Sequence, residues 1–228
     1  MGQALFSLSI GMGALITYGS YIQKQDNLFT TSLWIASADT FIAILSGVAI
    51  FPAVFAFGLS PAAGPSLVYE VLPNVFNSMP MGGLFAAIFF VLLGIAALTS
   101  TISLLEVPVL WAVEELHWNR RKAAILISLV VFAIGAFCAL SFGPLSHVTI
   151  FGLTIFELCD KLTATYMMPI GALLFTLFIG WYLPKADVYD ELSNSGQLKA
   201  RYFKVYYFIV RYIAPLALLN ILIAGILS

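Results

Sequence analysis

The first 21 residues, MGQALFSLSIGMGALITYGSY, constrain the fold most, because they are apolar enough for a membrane helix yet interrupted in the middle. Four residues that weaken a helix fall within seven positions: Ser7, Ser9, Gly11 and Gly13. Unwound backbone at membrane depth is tolerated only where protein buries it or where it lines a polar cavity. We therefore predict either a broken helix whose ends face a binding cavity or a glycine-softened helix that packs on a neighbour.

Composition places the chain in a lipid bilayer. Hydrophobic residues make up 61% of it and charged residues 9%, whereas soluble domains carry roughly 25% charged residues. Apolar runs of about 20 residues between short polar loops predict membrane helices and an all-α membrane protein. The net charge of -1 leaves no basic surface to neutralise phosphates, so we expect no nucleic-acid partner.

We predict one transmembrane domain over residues 1–228 with about six helices. They span residues 1–22 (the broken helix), 30–57, 83–113, 122–142, 152–183 and 205–227. Lysine and arginine occur in the first, third and fifth loops, whereas the loops 58–82 and 143–151 carry none. This alternation predicts a multi-pass protein of the cell (plasma) membrane, with basic loops in the cytoplasm and both chain termini outside. An apolar, outside N-terminus also predicts that an upstream half is missing.

The second loop, residues 58–82, is long, apolar and broken by four prolines. Its segment SLVYEVLPNVF has room for one or two helical turns. Two interpretations stay open for this loop: a lid over an outward-facing cavity, or a plug with a purely structural role.

Asp39 is the clearest ionisable residue inside a predicted span. A carboxylate in lipid is costly, so an intramembrane aspartate indicates a function by default. Ala36 and Ala43 share its helical face, and this small-residue face suits contact with protein. Asp39 therefore either handles a cation or proton, or makes a structural hydrogen bond to a neighbouring helix.

A stripe of small and hydroxylated residues follows one face of the third predicted span: Ala96, Thr99, Ser100 and Ser103. Such a stripe is typical of plain helix packing, but it also offers the oxygen atoms that sodium needs. The sequence has no GxSxG, HExxH or Walker motif, and no histidine or lysine lies at the depth of the mid-span serines. We therefore do not expect an enzyme, and an intramembrane hydrolase is disfavoured.

Four motifs in register, GQALFSLSIGMGALITYGSY, AIFPAVFAFG, GPSLVYEVLPNVF and AALTSTISLLEVPV, strongly resemble the neurotransmitter:sodium symporters, and the bacterial amino-acid branch in particular. The resemblance covers the whole chain. It implies the second five-helix inverted repeat of the sodium-symporter (leucine-transporter-like) fold plus one further transmembrane helix. The first repeat of that fold is absent from this sequence.

The resemblance also implies functional positions. The substrate-binding positions are Phe6, Ser9, Met12, Ser100 and Leu104. The sodium-binding positions are Ser7, Asp39, Ala96, Thr99 and Ser100. Asp160 matches the carboxylate of the outer gate, whose arginine partner belongs to the missing half.

Met12, Ala38 and Asp39 depart from the family pattern. Met12 stands where the family often has an aromatic residue, so the side-chain pocket has a different shape. Asp39 resembles the carboxylate that replaces bound chloride in chloride-independent members. Ala38 occupies the place of an asparagine that the family often uses at the first sodium site, so the identity of that site stays open.

These features support two hypotheses about function. The first is sodium-coupled symport of an amino acid or related small amine by alternating access, with this chain as the C-terminal half of the transporter. Its cofactors are co-transported sodium ions, with no organic cofactor, and its partners are the substrate, the bilayer and the missing N-terminal half. The alternative is a truncated or split membrane fragment with no transport activity alone.

Overall fold

The computed structural model of the protein describes residues 2–22, 26–56, 68–69, 72–198 and 200–227. The helices, in chain order, are α1 (Gly2–Ser7), α2 (Ala14–Gly19), α3 (Leu28–Ala56), α4 (Leu72–Asn77), α5 (Gly82–Glu114), α6 (Arg120–Leu140), α7 (Ile155–Tyr182), α8 (Lys185–Leu192) and α9 (Phe203–Leu227). Among the described residues, α3, α5, α6, α7 and α9 are long and apolar enough to cross a membrane. The stretch predicted as the first span consists of α1, a break and α2.

A small hairpin precedes α7, and the sequence pattern did not predict it. Strand β1 (Thr149–Ile150) pairs antiparallel with β2 (Leu153–Thr154). The two residues between them, Phe151 and Gly152, have φ angles of 55° and 79°, as a two-residue hairpin turn of type I′ requires. Because the hairpin takes these residues, α7 begins at Ile155 and not at residue 152 as predicted.

Side-chain caps set the starts of three membrane-length helices. Asn27 accepts a hydrogen bond from the backbone N–H of Thr30 at 3.1 Å, and Asn119 accepts one from Arg121 at 3.0 Å. Thr154 and Glu157 form a capping box at the start of α7. Each cap satisfies an N–H group that has no partner inside its helix, so local sequence fixes where these helices begin.

The chain divides into two compact units, Met1–Ser32 with Ser103–Ser228, and Leu33–Ile102. In the first unit α7 packs along α9, and glycines permit the close approach. A Cβ added to Gly180 would lie 3.0 Å from the Cα of Arg211, and one on Gly225 would lie 2.6 Å from a methyl group of Thr165. Small residues at helix crossings are the usual means of close packing between membrane helices.

Arg211 lies inside α9 and is held by aromatic rings. Its guanidinium carbon is 4.5 Å from the ring centre of Trp181, and Nη1 donates to the Tyr207 hydroxyl at 3.4 Å. That hydroxyl donates in turn to the Gly180 carbonyl at 3.1 Å. Arg211 makes no ion pair among the described residues, and the cation–π contacts stabilise its charge.

The second unit contains most of α3, the short helix α4 and the first part of α5. Phe76 of α4 contacts Phe89 of α5, with ring centres 5.6 Å apart. Residues 58–67 and 70–71 of the predicted lid-like loop 58–82 lie outside the described residues. Its part from Leu72 to Asn77 is helical.

Candidate functional site

The helix that opens the chain is interrupted by a defined C-terminal motif. After α1 ends at Ser7, the N–H of Ser9 donates to the Phe6 carbonyl at 3.1 Å, and the N–H of Ile10 donates to the Leu5 carbonyl at 2.9 Å. These two bonds, with Ser9 at a φ of 51°, form a Schellman motif. Its left-handed position is normally glycine, because any side chain there costs about 1–2 kcal/mol.

Two glycines carry the chain from this motif into the next helix. Gly11 and Gly13 have φ angles of 89° and 84°, which glycine adopts without steric cost. Helical hydrogen bonding resumes when the N–H of Thr17 donates to the Gly13 carbonyl at 2.9 Å. The helix is therefore broken here, and the binding cavity at its ends stays a prediction.

The break rests directly on the backbone of α7. A Cβ on Gly171 would overlap the carbonyl oxygen of Gly11, and a Cβ on Gly11 would overlap the carbonyl oxygen of Met168. Leu5 and Ile10 pack beside this contact against Ala172 and Leu218. Gly171 was not identified from the sequence because it lies far along the chain from the break, although a glycine inside an apolar helix was a usable signal.

Apart from Asp160, the predicted site residues of the first unit lie on two segments. Phe6 and Ser7 are on the last turn of α1, and Ser9 and Met12 are half-buried within the break. Phe6 is 60% exposed. Leu104 lies on α5.

The predicted sodium positions of the second unit lie on two helices. Ala96, Thr99 and Ser100 occupy one face of α5, since residues three and four apart are neighbours on a helix. All three are exposed, and the Thr99 hydroxyl donates to the Ala96 carbonyl at 2.8 Å. Asp39 is half-buried on α3. Three of these predicted sodium positions therefore lie together on α5, and the fourth lies on α3.

Asp160, the predicted gate residue, immediately precedes an unusual segment of α7. Residues Lys161–Met167 form a π-helix, a form that is rare and frequent at functional sites. The Asp160 side chain is exposed, and its carboxylate makes no ion pair within the part of the chain that the structure describes.

Glu106 has partners that sequence reasoning did not identify. One oxygen of its carboxylate accepts a hydrogen bond from the Tyr21 hydroxyl at 2.9 Å and another from Arg120 at 2.7 Å. Tyr21 follows α2, Glu106 is on α5 and Arg120 begins α6, so this cluster ties the broken helix to two membrane-length helices. No local signal reveals a contact between residues so far apart in the chain.

We expect this cluster to contribute modestly to stability. Arg120 is 64% exposed and Glu106 is 21% exposed, so solvent screening keeps the coupling between them weak. Thermal unfolding of Glu106→Gln, Arg120→Gln and the double variant in detergent measures this coupling. Arg121→Gln is the matched control, because Arg121 makes no ion pair among the described residues. Fully additive effects of the two substitutions would contradict the coupling.

The membrane-length helices define a multi-pass helical membrane protein. The broken helix before them packs on the backbone of α7, and its break is the candidate site. The chain belongs to the sodium:neurotransmitter symporter family, whose profile matches residues 1–228. This match confirms the resemblance seen in the sequence motifs.

Individual relatives agree with this assignment. The chain is 37% identical over 230 residues to the uncharacterized sodium-dependent transporter YhdH of Bacillus subtilis, covering 100% of this chain and 51% of the relative. It is 38% identical over 227 residues to an uncharacterized sodium-dependent transporter of Haemophilus influenzae, covering 99% of this chain and 49% of the relative. The chain therefore spans about half the length of these curated relatives.

A solved structure confirms the predicted fold. The chain superposes on the crystal structure of MhsT in complex with L-phenylalanine with a TM-score of 0.90 and 43% sequence identity, covering 99% of this chain and 51% of that one. This chain therefore has the all-α membrane fold of the sodium symporters and corresponds to about half of the MhsT chain.

Proposed function

We propose that this chain forms the C-terminal half of a sodium-coupled symporter that carries an amino acid or related small amine across the plasma membrane by alternating access. The observation that carries this proposal is the break between α1 and α2, with Ser9 held in a left-handed conformation that favours glycine. Strained backbone persists where the surrounding structure holds it and is typical of binding sites. Family membership and the structural match to MhsT, which was crystallised in complex with L-phenylalanine, support the class of substrate.

The break suits a zwitterionic substrate. The C-terminal end of α1 carries the negative pole of that helix, which favours an ammonium group, and the N-terminal end of α2 carries the positive pole, which favours a carboxylate. We assign substrate contacts to Phe6, Ser9 and Met12 on this segment, with Ser100 and Leu104 on α5. The flexible Met12 side chain leaves room for substrates of varied shape.

Sodium needs oxygen ligands that bind it and release it again. We assign this role to the hydroxyl groups of Ser7, Thr99 and Ser100, the carbonyl group of Ala96 and the carboxylate of Asp39. The carboxylate of Asp39 also supplies a fixed negative charge, so we expect transport that does not require chloride.

The exposed candidate residues favour the alternative that the chain alone does not transport. Phe6 is 60% exposed, and Thr99 and Ser100 are exposed as well. A binding cage must exclude water on all sides to hold ions and substrate tightly. We therefore propose that an N-terminal half supplies the remaining walls and an arginine partner for Asp160. The basic loops would face the cytoplasm and both termini of this chain the outside.

Uptake into proteoliposomes tests the proposal. We would compare this chain alone with a chimera in which it follows the N-terminal half of the Bacillus subtilis relative, using radiolabelled amino acids. The chimera is expected to take up substrate under an inward sodium gradient, equally well in chloride or gluconate, and the chain alone to take up none. Uptake by a folded chimera that ignores the sodium gradient would refute the symporter, and uptake by the chain alone would refute the need for a second half.

Replacing Ser9 with glycine separates the backbone role of this residue from its hydroxyl group. Glycine removes a left-handed strain of about 1–2 kcal/mol from the folded state. It also makes the unfolded chain more flexible, which offsets part of this gain. The unfolding temperature should therefore stay the same or rise. Loss of one substrate hydrogen bond should raise the half-saturating substrate concentration of the chimera about three- to tenfold.

Ser195→Gly is the matched control for this prediction, because Ser195 is also a left-handed serine, with a φ of 55°. It lies in the polar segment after α8, far along the chain from the break. Its substitution should leave substrate affinity unchanged. An unchanged affinity in Ser9→Gly would remove Ser9 from the substrate site.

A further inference from the structure

A cavity of about 240 Å³ lies in the first unit, away from the break. It is lined by the start of α3, the end of α8, the segment that follows α8 and the start of α9. The residues that matter below are Asn27, Phe29, Thr30, Ala200, Arg201 and Tyr202. This volume holds about eight water molecules, the size of a phosphate group with a short polar substituent.

The lining of this cavity carries positive charge. Among the described residues that line it, Arg201 is the one charged side chain, and none carries a carboxylate. Arg201 is exposed, and within the described ranges it makes no ion pair, in contrast to Arg120. An unpaired guanidinium favours an anion, and its planar fork matches phosphate oxygens.

Aromatic rings form the wall of the cavity beside Arg201. The rings of Phe29 and Tyr202 stack with centres 5.3 Å apart and planes inclined by 15°. Tyr206 adds a further ring with a polar end. Rings of this kind are enriched at the boundary between a membrane and water, where one end is apolar and the other is wet.

The position of the cavity in the chain agrees with that boundary. It lies where two membrane-length helices, α3 and α9, begin. The charged helix α8, KADVYDEL, and the segment after it lead into this end of α9. A ligand here would therefore meet the level of lipid headgroups.

We propose that this cavity binds the phosphate-bearing headgroup of an anionic phospholipid, with Arg201 donating to the phosphate and the stacked pair Phe29–Tyr202 flanking the glycerol. A cation is disfavoured because Arg201 repels it. An amino acid is disfavoured because its ammonium group would find no carboxylate on the described lining. The site is separate from the break, so the proposal stands or falls independently of the transport function.

Native mass spectrometry of the purified chain in detergent tests this site with dioleoyl phosphatidylglycerol and dioleoyl phosphatidylcholine, which share their acyl chains. The parent protein is expected to retain phosphatidylglycerol preferentially. Arg201→Gln should lower its retention about fivefold, the effect of one basic residue facing an anionic lipid. Arg121→Gln is the control, because Arg121 is also an exposed arginine near the start of a membrane-length helix, and this variant should retain phosphatidylglycerol like the parent.

A second variant keeps the arginine but fills the cavity. Ala200→Trp should also reduce phosphatidylglycerol retention if the headgroup enters the cavity. Equal retention in the parent and in Arg201→Gln, or an unchanged retention in a folded Ala200→Trp, would overturn the proposal. Binding of soluble glycerol 3-phosphate that displaces the lipid at millimolar concentration would assign the cavity to a free phosphate ester and overturn the lipid assignment.

Discussion

Replacing Gly171 with alanine is expected to destabilise the protein by about 2–3 kcal/mol and to displace the break from α7. The added Cβ would overlap the carbonyl oxygen of Gly11. Backbone atoms on both sides of this contact cannot rotate away as a flexible side chain can, so the helix or the break must shift. We expect a lower unfolding temperature for the purified chain and loss of sodium-driven uptake in the chimera.

Two other glycines provide matched controls. Gly94 in α5 and Gly135 in α6 lie within helices, and a Cβ on either would meet nothing within 4 Å. Alanine at these positions should leave stability unchanged or raise it by about 0.5–1 kcal/mol, since alanine favours helix. Thermal unfolding followed by tryptophan fluorescence compares the three variants. A Gly171→Ala protein as stable as the two controls would show that the contact between the break and α7 does not restrict this position.

Replacing Thr99 with valine is expected to raise the sodium concentration for half-maximal uptake by about ten- to a hundredfold. Valine keeps the shape of threonine but removes the hydroxyl oxygen that we assign to sodium. Interactions between a charged group and a polar partner contribute roughly 1.5–3 kcal/mol, which corresponds to that range in affinity. Sodium titrations of substrate uptake by the chimera measure this change, and substrate affinity at saturating sodium should change little.

Thr101 offers a closely matched control on the same helix. Its hydroxyl donates to the Ala97 carbonyl at 2.8 Å, as the Thr99 hydroxyl donates to Ala96 at 2.8 Å, and both side chains are exposed. Two residues apart on a helix, they point about 200° apart around its axis. Thr101→Val should leave the sodium dependence unchanged, and equal shifts in the two variants would indicate a general effect of losing a hydroxyl group from α5.

The sequence predicted the features that depend on local chemistry. Ser9, Gly11 and Gly13 favour an interruption wherever they fall in a helix, and the structure places it between Ser7 and Ala14. Long apolar runs likewise predicted the membrane-length helices. The hairpin before α7 escaped prediction because its strands are only two residues long, too short for an alternating pattern to be visible.

Contacts between distant parts of the chain could not be predicted from the sequence. Nothing local to Gly171 indicates that Gly11 will rest on it, and nothing near Tyr21 indicates the carboxylate of Glu106. Helical spacing identified the stripe on α5 and the cost of a charge in lipid identified Asp39, but the assignment of individual residues to substrate, sodium or gate came from the family resemblance.

The contact between Gly11 and Gly171 has a mechanical consequence. Because two backbones meet there without side chains between them, no rotamer change can absorb relative movement of the two segments. We expect α7 and the break to travel as one body, so that a tilt of α7 displaces the candidate substrate contacts directly. Any bending of α7 during opening and closing must then occur outside this contact. The nearest irregular segment of α7 is the π-helical stretch Lys161–Met167, which lies between the contact and Asp160.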